Sequence, residues 1–329
     1  KNLLNKLKDK RTLEIYNKFK HNLKLKDNFI VAVSGGPDSL ALSFLANIYA
    51  IENFLKIKFI LIDHKLRNNS TDEANFVKNL LRTYSMELVI LKWQGKKPKT
   101  NIQSEARKKR YQLLIKEAKK NKIQNILFAH HIEDLYENFF IRILRGSGLN
   151  GLVSLDEKSK NQRINIIRPL LQFEKKDLVY ISNKVFKTFI TDPSNYNDKF
   201  KRVKIRNFIQ NLKLEGLDKE KFNLTIKNLK FANRAIKTLI KKNINENSMF
   251  INKKNSLILS EQFFNNPKEV VFRSFVEVIK LVGKKYYPVR GKKVDKILDL
   301  ININGNFKKT LGNCIIKKIN QSVIVSKEH

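Results

Sequence analysis

Cysteine, acidic side chains and long apolar runs are all scarce in this sequence. The 329 residues contain one cysteine, Cys314, which excludes a disulfide framework, a multi-cysteine zinc site and a four-cysteine iron–sulfur cluster within the chain. Such cysteine usage is typical of a reducing compartment, and we expect a soluble, cytoplasmic protein. No apolar run approaches the roughly 18 residues of a membrane span. Residues 1–21 lack the apolar stretch of a signal peptide and predict a frayed amphipathic helix.

The shortage of acidic residues leaves a large positive charge. Only 30 Asp and Glu stand against 67 Lys and Arg, which gives a formal charge of +37. A field of this size favours a polyanionic partner, most often nucleic acid. Two alternatives stay open. An anionic membrane surface would also attract the chain, and the lysine-rich coding of an AT-rich genome would place lysine on every solvated face.

Strand and helix patterns alternate in the first part of the chain. Near-continuous apolar segments, as expected of strands buried on both faces, occur at 29–33, 58–62, 87–91 and 125–129. Apolar residues at helical spacing follow them at 38–53, 70–85, 101–121 and 132–145. This alternation predicts an α/β fold with a parallel sheet covered by helices on both faces.

The pattern changes after Arg206. Helices are predicted over 207–245 and near 268–282, and short strands over 249–260 and 307–326. We therefore expect a parallel-sheet nucleotide-binding domain followed by a smaller, basic, helical and α+β domain. The predicted parts are a helical extension (1–28), the nucleotide-binding domain (29–212) and a C-terminal region (213–329) with a helical linker to about 245 and an α+β part from about 246.

A glycine-rich loop joins the first apolar strand to the helix after it. Glycines let the backbone approach an oxyanion closely, and the helix N-terminus adds N–H donors and the positive end of a dipole. Serine hydroxyls can donate to a phosphate, and an aspartate can hold a magnesium ion. A capped turn without a ligand is the alternative. The loop residues are Ser34, Gly35, Gly36, Pro37, Asp38 and Ser39.

A second polar cluster, AHHIEDLYE (129–137), follows the fourth predicted strand. His130, Asp134 and Glu137 lie four and three residues apart and share one helix face. Ligands of open α/β sheets bind at this carboxyl end of the strands. Two carboxylates and an imidazole could bind a metal, accept a proton or hold an ammonium group. They could also simply stabilise a first helical turn, which favours acidic residues.

Several further motifs have ordinary interpretations as turns, loops or solvated faces when each is taken alone. Together and in this order they resemble a known family. The loop SGGPDS is similar to the SGGxDS loop of the PP-loop ATP pyrophosphatase superfamily, whose members split ATP between its α and β phosphates to make an adenylate. The wider set resembles the tRNA(Ile)-lysidine synthetase family across about 29–206, and comprises DHKLR (63–67), Asn101 with ARKKRY (106–111), AHHIED (129–134), RGSG (145–148), DPSN (192–195), Arg202 and Ile205-Arg206.

This chain departs from the family pattern at a few positions. Glu133 stands where Asp is usual, Lys65 where Gly is usual, Leu135 where Gln is common and Asn138 where Thr is common. Glu133 keeps the negative charge of an aspartate and changes only its reach. The departures leave Asp38, Asp134, Glu137, Arg110 and Arg202 in place.

The resemblance implies a ligase that adenylates the wobble cytidine of the CAU anticodon of isoleucine tRNA and then joins free L-lysine to it, releasing AMP and pyrophosphate. It implies that ATP is bound by the glycine-rich loop with Asp63 and His64, and Mg²⁺ by Asp38 and Asp134. The residues implied for catalysis are Asp38, Arg110, His130, Asp134 and Glu137, and those for lysine binding are Arg110, Asp134, Glu137 and Arg202. Which carboxylate is the general base stays open.

Contacts to the tRNA are expected from basic residues in both parts of the chain. Segment 284–296 carries six basic residues and two tyrosines that could stack on bases, with a solvated lysine-rich turn as the alternative. The sequence leaves a homodimer open. The residues expected to contact tRNA are Arg145, Arg206, Lys284, Lys285, Tyr286, Arg290, Lys292 and Lys293.

Three rival interpretations come from other chemistries. A PP-loop tRNA thiolase generally needs paired cysteines or an iron–sulfur cluster, and the single Cys314 counts against it. An amidotransferase-coupled relative needs an ammonia source, and the sequence carries no recognisable glutaminase domain. A non-catalytic basic RNA-binding protein would not need Asp38, Asp134 and Glu137 intact.

Overall fold

The computed structural model describes residues 3–67, 69–95, 98, 100–191, 201–251, 256–284, 289–303 and 305–328. The chain divides into two compact units, Lys1–Asp218 and Lys219–His329. Within the described ranges, no helix has both the length and the apolar composition needed to cross a membrane.

The first unit is built on a mostly parallel sheet. Its strands are β1 (Phe29–Val33), β2 (Ile57–Asp63), β3 (Leu88–Lys92), β4 (Asn125–Leu127), β5 (Lys158–Asn161) and β6 (Ile164–Ile167). Their order is β3-β2-β1-β4-β6-β5, and every neighbouring pair is parallel except the β5–β6 hairpin. The helices are α1 (Lys10–Leu23), α2 (Pro37–Glu52), α3 (Ser70–Arg82), α4 (Ile102–Lys120), α5 (Ile132–Ile143), the single turn α6 (Leu149–Leu152), α7 (Lys175–Phe186) and α8 (Lys201–Leu214).

Both faces of this sheet are buried, which explains the uninterrupted apolar runs. Along β1, Phe29, Val31 and Val33 face a core shared with α1, α2, α3 and α7. Ile30 faces a second core on the opposite side, to which α4 contributes. A strand with an apolar neighbour on each face gains from apolar residues at every position. The predicted α/β fold with a covered parallel sheet is confirmed.

The N-terminal helix is part of the first core, so the prediction of a frayed helix is wrong. The Asp9 carboxylate caps α1 by accepting from the Thr12 backbone N–H at 3.0 Å, and it also accepts from the Tyr180 hydroxyl of α7 at 2.7 Å. Helical spacing in the sequence predicts the helix but not its partner, because α7 lies some 170 residues away along the chain. The buried apolar residues of α1 are Ile15, Tyr16, Phe19 and Leu23.

The second unit packs helices against an antiparallel sheet. Its strands are β7 (Ser248–Ile251), β8 (Ser256–Leu259), β9 (Phe307–Leu311), β10 (Cys314–Ile319) and β11 (Ser322–Lys327), in the order β7-β8-β11-β10-β9. Its helices are α9 (Lys219–Asn247), the short α10 (Glu261–Phe264), α11 (Lys268–Gly283) and α12 (Gly291–Asn302). Cys314 is fully buried in the core between α11 and the sheet.

Helix α12 is absent from the sequence prediction, which took 284–296 as one basic segment. Its apolar residues recur at helical spacing and are buried against the sheet core. Its first turn is basic and lies within that segment, and its apolar residues begin only at Val294. The buried residues are Val294, Ile297, Leu298 and Ile301.

A buried amide holds α9 to the rest of the second unit. Asn243 is 2% exposed. Its Nδ2 donates to the Phe263 carbonyl at 3.1 Å and to Ser274 Oγ at 3.2 Å. Its Oδ1 accepts from the side-chain amides of Asn247 at 2.9 Å and Asn266 at 3.1 Å. Every polar atom of this side chain therefore has a partner, which makes the burial of an amide tolerable.

We expect Asn243→Leu to destabilise the second unit by about 2 kcal/mol or more, because each buried polar partner left unsatisfied costs roughly 1–3 kcal/mol. Urea unfolding monitored by circular dichroism measures the loss. Asn245→Ala, at an exposed position of the same helix, is the matched control and should change the free energy of unfolding by less than about 0.5 kcal/mol. Equal stability of the two variants would contradict a structural role for Asn243.

Candidate active site

Two loops leave the sheet side by side at the carboxyl ends of its central strands. β1 pairs in parallel with β4, and β2 lies on the other side of β1. The glycine-rich loop 34–39 follows β1, and residues 130–134 follow β4. From β1 the chain continues to β2 on one side, and from β4 it continues to β5 and β6 on the other side. A ligand crevice opens in α/β sheets where the connections diverge in this way.

Ser39 organises the glycine-rich loop from inside. Its Oγ accepts from the backbone N–H groups of Ser34 and Gly35, both at 3.1 Å, and donates to the Gly36 carbonyl at 3.0 Å. Gly35 has φ of +86°, and a Cβ there would lie 2.6 Å from Val77 Cγ2. The first glycine is therefore needed for both its backbone conformation and its lack of a side chain.

Helix α7 and the segment after it hold the loop from outside. Ser182 Oγ of α7 donates to the Pro37 carbonyl at 2.7 Å, and the Ile190 N–H donates to the Gly35 carbonyl at 2.9 Å. Pro37 is the first residue of α2, a position where its missing N–H costs nothing. The loop thus presents the N-terminus of α2 to the crevice, as an anion-binding loop does.

His131 joins the two loops, although the sequence pattern pointed to its neighbour His130. The His131 backbone N–H donates to Asp134 Oδ2 at 3.0 Å, and its Nδ1 lies 2.9 Å from Glu133 Oε2. Its Nε2 lies 3.6 Å from Asp38 Oδ2 and 3.6 Å from Asp134 Oδ2. One buried imidazole therefore faces the carboxylates of both loops.

The surrounding carboxylates decide the charge of His131. Burial alone would lower its pKa, but hydrogen bonds to Asp38 and Glu133 and the charge of Asp134 outweigh burial and raise the pKa to about 10. In return, although burial raises the pKa of Asp134, the charges of His131 and His130 bring it below its ordinary value. At neutral pH the site holds an imidazolium beside the ionised carboxylates of Glu133 and Asp134.

His130 has the opposite character. Burial, reinforced by the positive charges of Arg107, Arg168 and Arg202, holds its pKa well below the ordinary value against the pull of Asp134. Its Nδ1 is buried and has no hydrogen-bond partner in the described part of the chain. A neutral imidazole with an unpaired nitrogen can donate to or accept from a bound ligand.

Glu137 is buried and paired with an arginine of α8. Arg206 Nε donates to Glu137 Oε1 at 2.5 Å, so this arginine, which the sequence predicts to contact tRNA, has a carboxylate partner within the protein. Glu137 Oε2 is buried without a hydrogen-bond partner among the described residues. Burial raises the pKa of Glu137 despite the lowering effect of Arg206. Glu137 is therefore the most basic of the three carboxylates on α5, since the pKa values of Glu133 and Asp134 lie below their ordinary values.

Two arginines flank the same edge of the sheet. Arg110 Nε of α4 donates to His64 Nε2 at 3.3 Å, and burial together with the charges of Arg107 and Arg202 lowers the Arg110 pKa. Arg202 is an exposed residue of α8, and its charge acts on Asp134, Glu137 and His130. The charge of Arg202 therefore acts on the carboxylates of α5, whereas the described side-chain contact of Arg110 is with His64.

Asp63 uses its carboxylate within the protein. It accepts from the Lys65 N–H at 2.9 Å, Ser70 Oγ at 2.9 Å and Thr71 Oγ1 at 2.8 Å. These bonds shape the loop after β2 that carries His64. Lys65 has φ of +49°, a left-handed conformation that glycine, the residue expected here from the resemblance, would adopt without strain.

The remaining predicted residues are spread over both units. Arg145 is exposed just after α5 in the first unit. Four basic residues of the second unit are also exposed, namely Lys284, Arg290, Lys292 and Lys293. Lys285, Tyr286 and the motif 192–195 lie outside the described residues.

Asp38 and Asp134 are the residues that could hold a divalent cation. Asp38 Oδ1 is buried and has no hydrogen-bond partner among the described residues, and Oδ2 of each aspartate lies 3.6 Å from His131 Nε2, so the two carboxylates are close to each other. The described residues contain no group of three or more His, Cys, Asp or Glu that could hold a metal. A cation here would therefore need ligands from a substrate, which is how Mg²⁺ usually binds beside phosphates.

Comparison with known proteins agrees with this geometry. Residues 5–213 match the model of a PP-loop domain family. The tRNA(Ile)-lysidine synthase of Wolbachia pipientis wMel is 32% identical over 301 residues, which cover 91% of this chain and 70% of that protein. The tRNA(Ile)-lysidine synthase of Rickettsia akari is 32% identical over 334 residues, covering 95% of this chain and 74% of that protein.

A solved structure shares the fold at much lower sequence identity. The U34-tRNA thiolase NcsA from Methanococcus maripaludis, determined with its 4Fe-4S cluster, aligns with a TM-score of 0.55 and 16% identity over 63% of this chain and 74% of the thiolase. This likeness shows the fold alone. The match of residues 5–213 to the PP-loop domain and the lysidine synthase relatives along most of the chain assign the family: this chain belongs to the tRNA(Ile)-lysidine synthases.

Proposed function

We propose that this protein is a ligase that forms lysidine on isoleucine tRNA with a CAU anticodon, using ATP and free L-lysine. The observation that carries the proposal is the proximity of Asp38, on the glycine-rich loop, to Asp134 and Glu137 of the acidic helix α5. Arg202 and Arg206 of α8 lie beside these carboxylates. The loop suits ATP phosphates, and the acidic helix suits a cationic substrate.

The first step is adenylation of the tRNA. The wobble cytosine O2 attacks the α phosphorus of ATP, and pyrophosphate leaves. Backbone N–H groups at the N-terminus of α2 bind the phosphates and stabilise the negative charge that develops. When bound by Asp38, Asp134 and the phosphates, Mg²⁺ supplies further neutralisation of the leaving pyrophosphate. His131 orients both carboxylates toward that position.

The second step needs a base. The lysine side-chain ammonium has an ordinary pKa near 10.4 and must lose a proton before its nitrogen can attack cytosine C2 and displace AMP. Glu137 is the better candidate, because burial raises its pKa and its Oε2 has no hydrogen-bond partner among the described residues. Asp134 has a lowered pKa and is a weaker base. Arg110 and Arg202 suit the carboxylate of the amino acid.

Sulfur insertion finds no support at this site. The only cysteine of the sequence, Cys314, is fully buried in the second unit, where it packs beneath α11. A structural cysteine buried in an apolar core is inert as a nucleophile.

The decisive experiment supplies the protein with ATP, Mg²⁺, L-lysine and isoleucine tRNA bearing CAU, then digests the tRNA and weighs its nucleosides. We expect one cytidine to gain the mass of lysine minus water, with AMP and pyrophosphate released in equal amounts. Unmodified cytidine from folded protein would refute the proposal.

Asp38→Ala should abolish pyrophosphate release, because the variant lacks the carboxylate of the glycine-rich loop that lies beside His131 and Asp134. Release is measured with labelled ATP and tRNA in the absence of lysine. Asp72→Ala is the matched control, since Asp72 also lies in the first turn of a helix but is exposed. Full pyrophosphate release by the Asp38 variant would remove Asp38 from the adenylation step.

Glu137→Gln should slow lysine transfer by about 100-fold or more, the usual contribution of a general base, while pyrophosphate release continues. Single-turnover transfer to pre-adenylated tRNA separates the two steps. Exposed Glu14 supplies the control Glu14→Gln. A variant that loses adenylation and transfer equally would place Glu137 in a structural role through Arg206.

The charge of His131 predicts a pH-dependent stability. Its folded pKa of about 10 exceeds the ordinary 6.5, so the stabilisation from protonated His131 is complete below about pH 6.5 and is lost as the pH rises to about 10. The stability difference between wild type and His131→Gln should shrink over that window, as measured by urea unfolding in EDTA. Exposed His21→Gln is the control, and a difference constant from pH 6 to 10 would contradict an imidazolium at His131.

A further inference from the structure

Helix α9 of the second unit has a core side and an outward side. The buried residues Phe222, Ile226, Asn233, Ile240 and Asn243 fall on one face at 3.6 residues per turn. α9 packs there against α10 and α11. The opposite face, which we call the outward face, carries Leu224, Lys227, Phe231, Arg234, Thr238 and Lys242.

The charge of α9 has one sign along almost its whole length. No acidic residue lies between Glu220 and Glu246, and the basic residues there are Lys221, Lys227, Lys230, Arg234, Lys237, Lys241 and Lys242. Several of these are three or four residues apart, so that like charges repel along the helix and lower its stability. Such an arrangement gains stability when a polyanion binds.

Lysine-rich coding does not explain this imbalance, because a neighbouring helix of the same unit balances its charges. In α11, Arg273 Nε lies 2.7 Å from Glu269 Oε1 and Lys280 Nζ lies 3.6 Å from Glu277 Oε2. Acidic partners at helical spacing are therefore available to this sequence. They are missing from the part of α9 that lies between Glu220 and Glu246.

An aromatic ring occupies the centre of the outward face. Phe231 is 51% exposed. Lys227 Nζ and Arg234 Cζ each lie 5.8 Å from its ring centroid. A phenylalanine among cations on a solvent-facing surface leaves apolar area in water, a cost that stacking on a flat partner would relieve.

We propose that the outward face of α9 binds the tRNA substrate, with Phe231 stacking on an unpaired base while Lys227 and Arg234 contact the phosphates beside it. Exposed aromatic rings between basic side chains bind single-stranded RNA in this way. The proposal names a contact surface for the substrate and so rests on the proposed function. A membrane surface fits less well, since that needs a broad apolar face, and the outward face offers one ring and Leu224 among cations.

Phe231→Ala should weaken binding of labelled isoleucine tRNA about tenfold, as loss of one stacked base does, measured by fluorescence anisotropy at fixed salt. Phe231→Trp should keep the affinity, whereas Phe231→Leu, which stays apolar but cannot stack, should lose it. Leu239→Ala is the matched control. Leu239 is 47% exposed on the same helix, two turns further along and rotated from Phe231 by about 80° around the helix axis, and its loss should not change the affinity.

Lys227→Ala should reduce the slope of log affinity against log salt by about 0.7, the value for one phosphate contact to a single strand. In the lysidine assay, Phe231→Ala should raise the KM for tRNA and leave kcat unchanged. These readouts distinguish a binding surface from a general loss of structure, which would lower kcat as well.

Two outcomes separate this proposal from the proposed function. If wild type makes lysidine and Phe231→Ala binds tRNA as tightly as wild type, the surface proposal is overturned and the reaction stands. If wild type makes no lysidine but Phe231→Ala still weakens tRNA binding, the reaction is refuted and the surface stands. Weaker binding to phosphatidylglycerol vesicles with unchanged tRNA affinity would assign the face to a membrane and overturn the proposal.

Discussion

β1 and β4 pair in parallel, with Val31 opposite Leu127, so the loops that follow the two strands leave the sheet next to each other. All of the chemistry at the site depends on this neighbourhood. It brings Asp38 within reach of the same imidazole as Asp134, although almost a hundred residues separate the two aspartates along the chain. A shift of β1 by one residue would move Ile30 into the core that Phe29, Val31 and Val33 occupy, and would disturb the packing of both cores.

The site is a cluster of carboxylates in a strongly basic chain. Three carboxylates lie close together, and each is accompanied by a cation: His131 beside Asp38 and Asp134, and Arg206 beside Glu137. Without these cations the carboxylates would repel one another and take up protons. The net charge of +37 therefore acts at long range, whereas the local carboxylates set the electrostatic potential inside the site.

Local sequence predicted the parts of the fold that local physics determines. Strands β1 to β4 are buried on both faces and show as apolar runs, and the glycine-rich loop is recognisable because Gly35 alone fits its backbone. The pairing of Arg206 with Glu137 spans 69 residues, and neither residue type indicates its partner. His131 was missed for a related reason: helical spacing relates His130 to Asp134, whereas His131 acts from the N-cap, outside that spacing.

Helix α12 is a different kind of omission. Val294, Ile297, Leu298 and Ile301 show the helical spacing in the sequence itself, so the signal was present. The docking of α1 into the first core could not be predicted from spacing. Its capping residue Asp9 accepts a hydrogen bond from Tyr180, which is distant along the chain. Periodicity identifies an amphipathic helix, but only the folded chain shows what covers it.

Glu133 links His131 of the site to the start of α7. Besides His131, its carboxylate accepts from the Lys175 backbone N–H at 3.2 Å, at the start of α7, and α7 in turn holds Pro37 through Ser182. An aspartate at this position would be about 1.5 Å shorter, the length of one carbon–carbon bond. An aspartate could make both contacts only if the start of α7 moved closer to α5, so the length of the Glu133 side chain sets the spacing between these two helices.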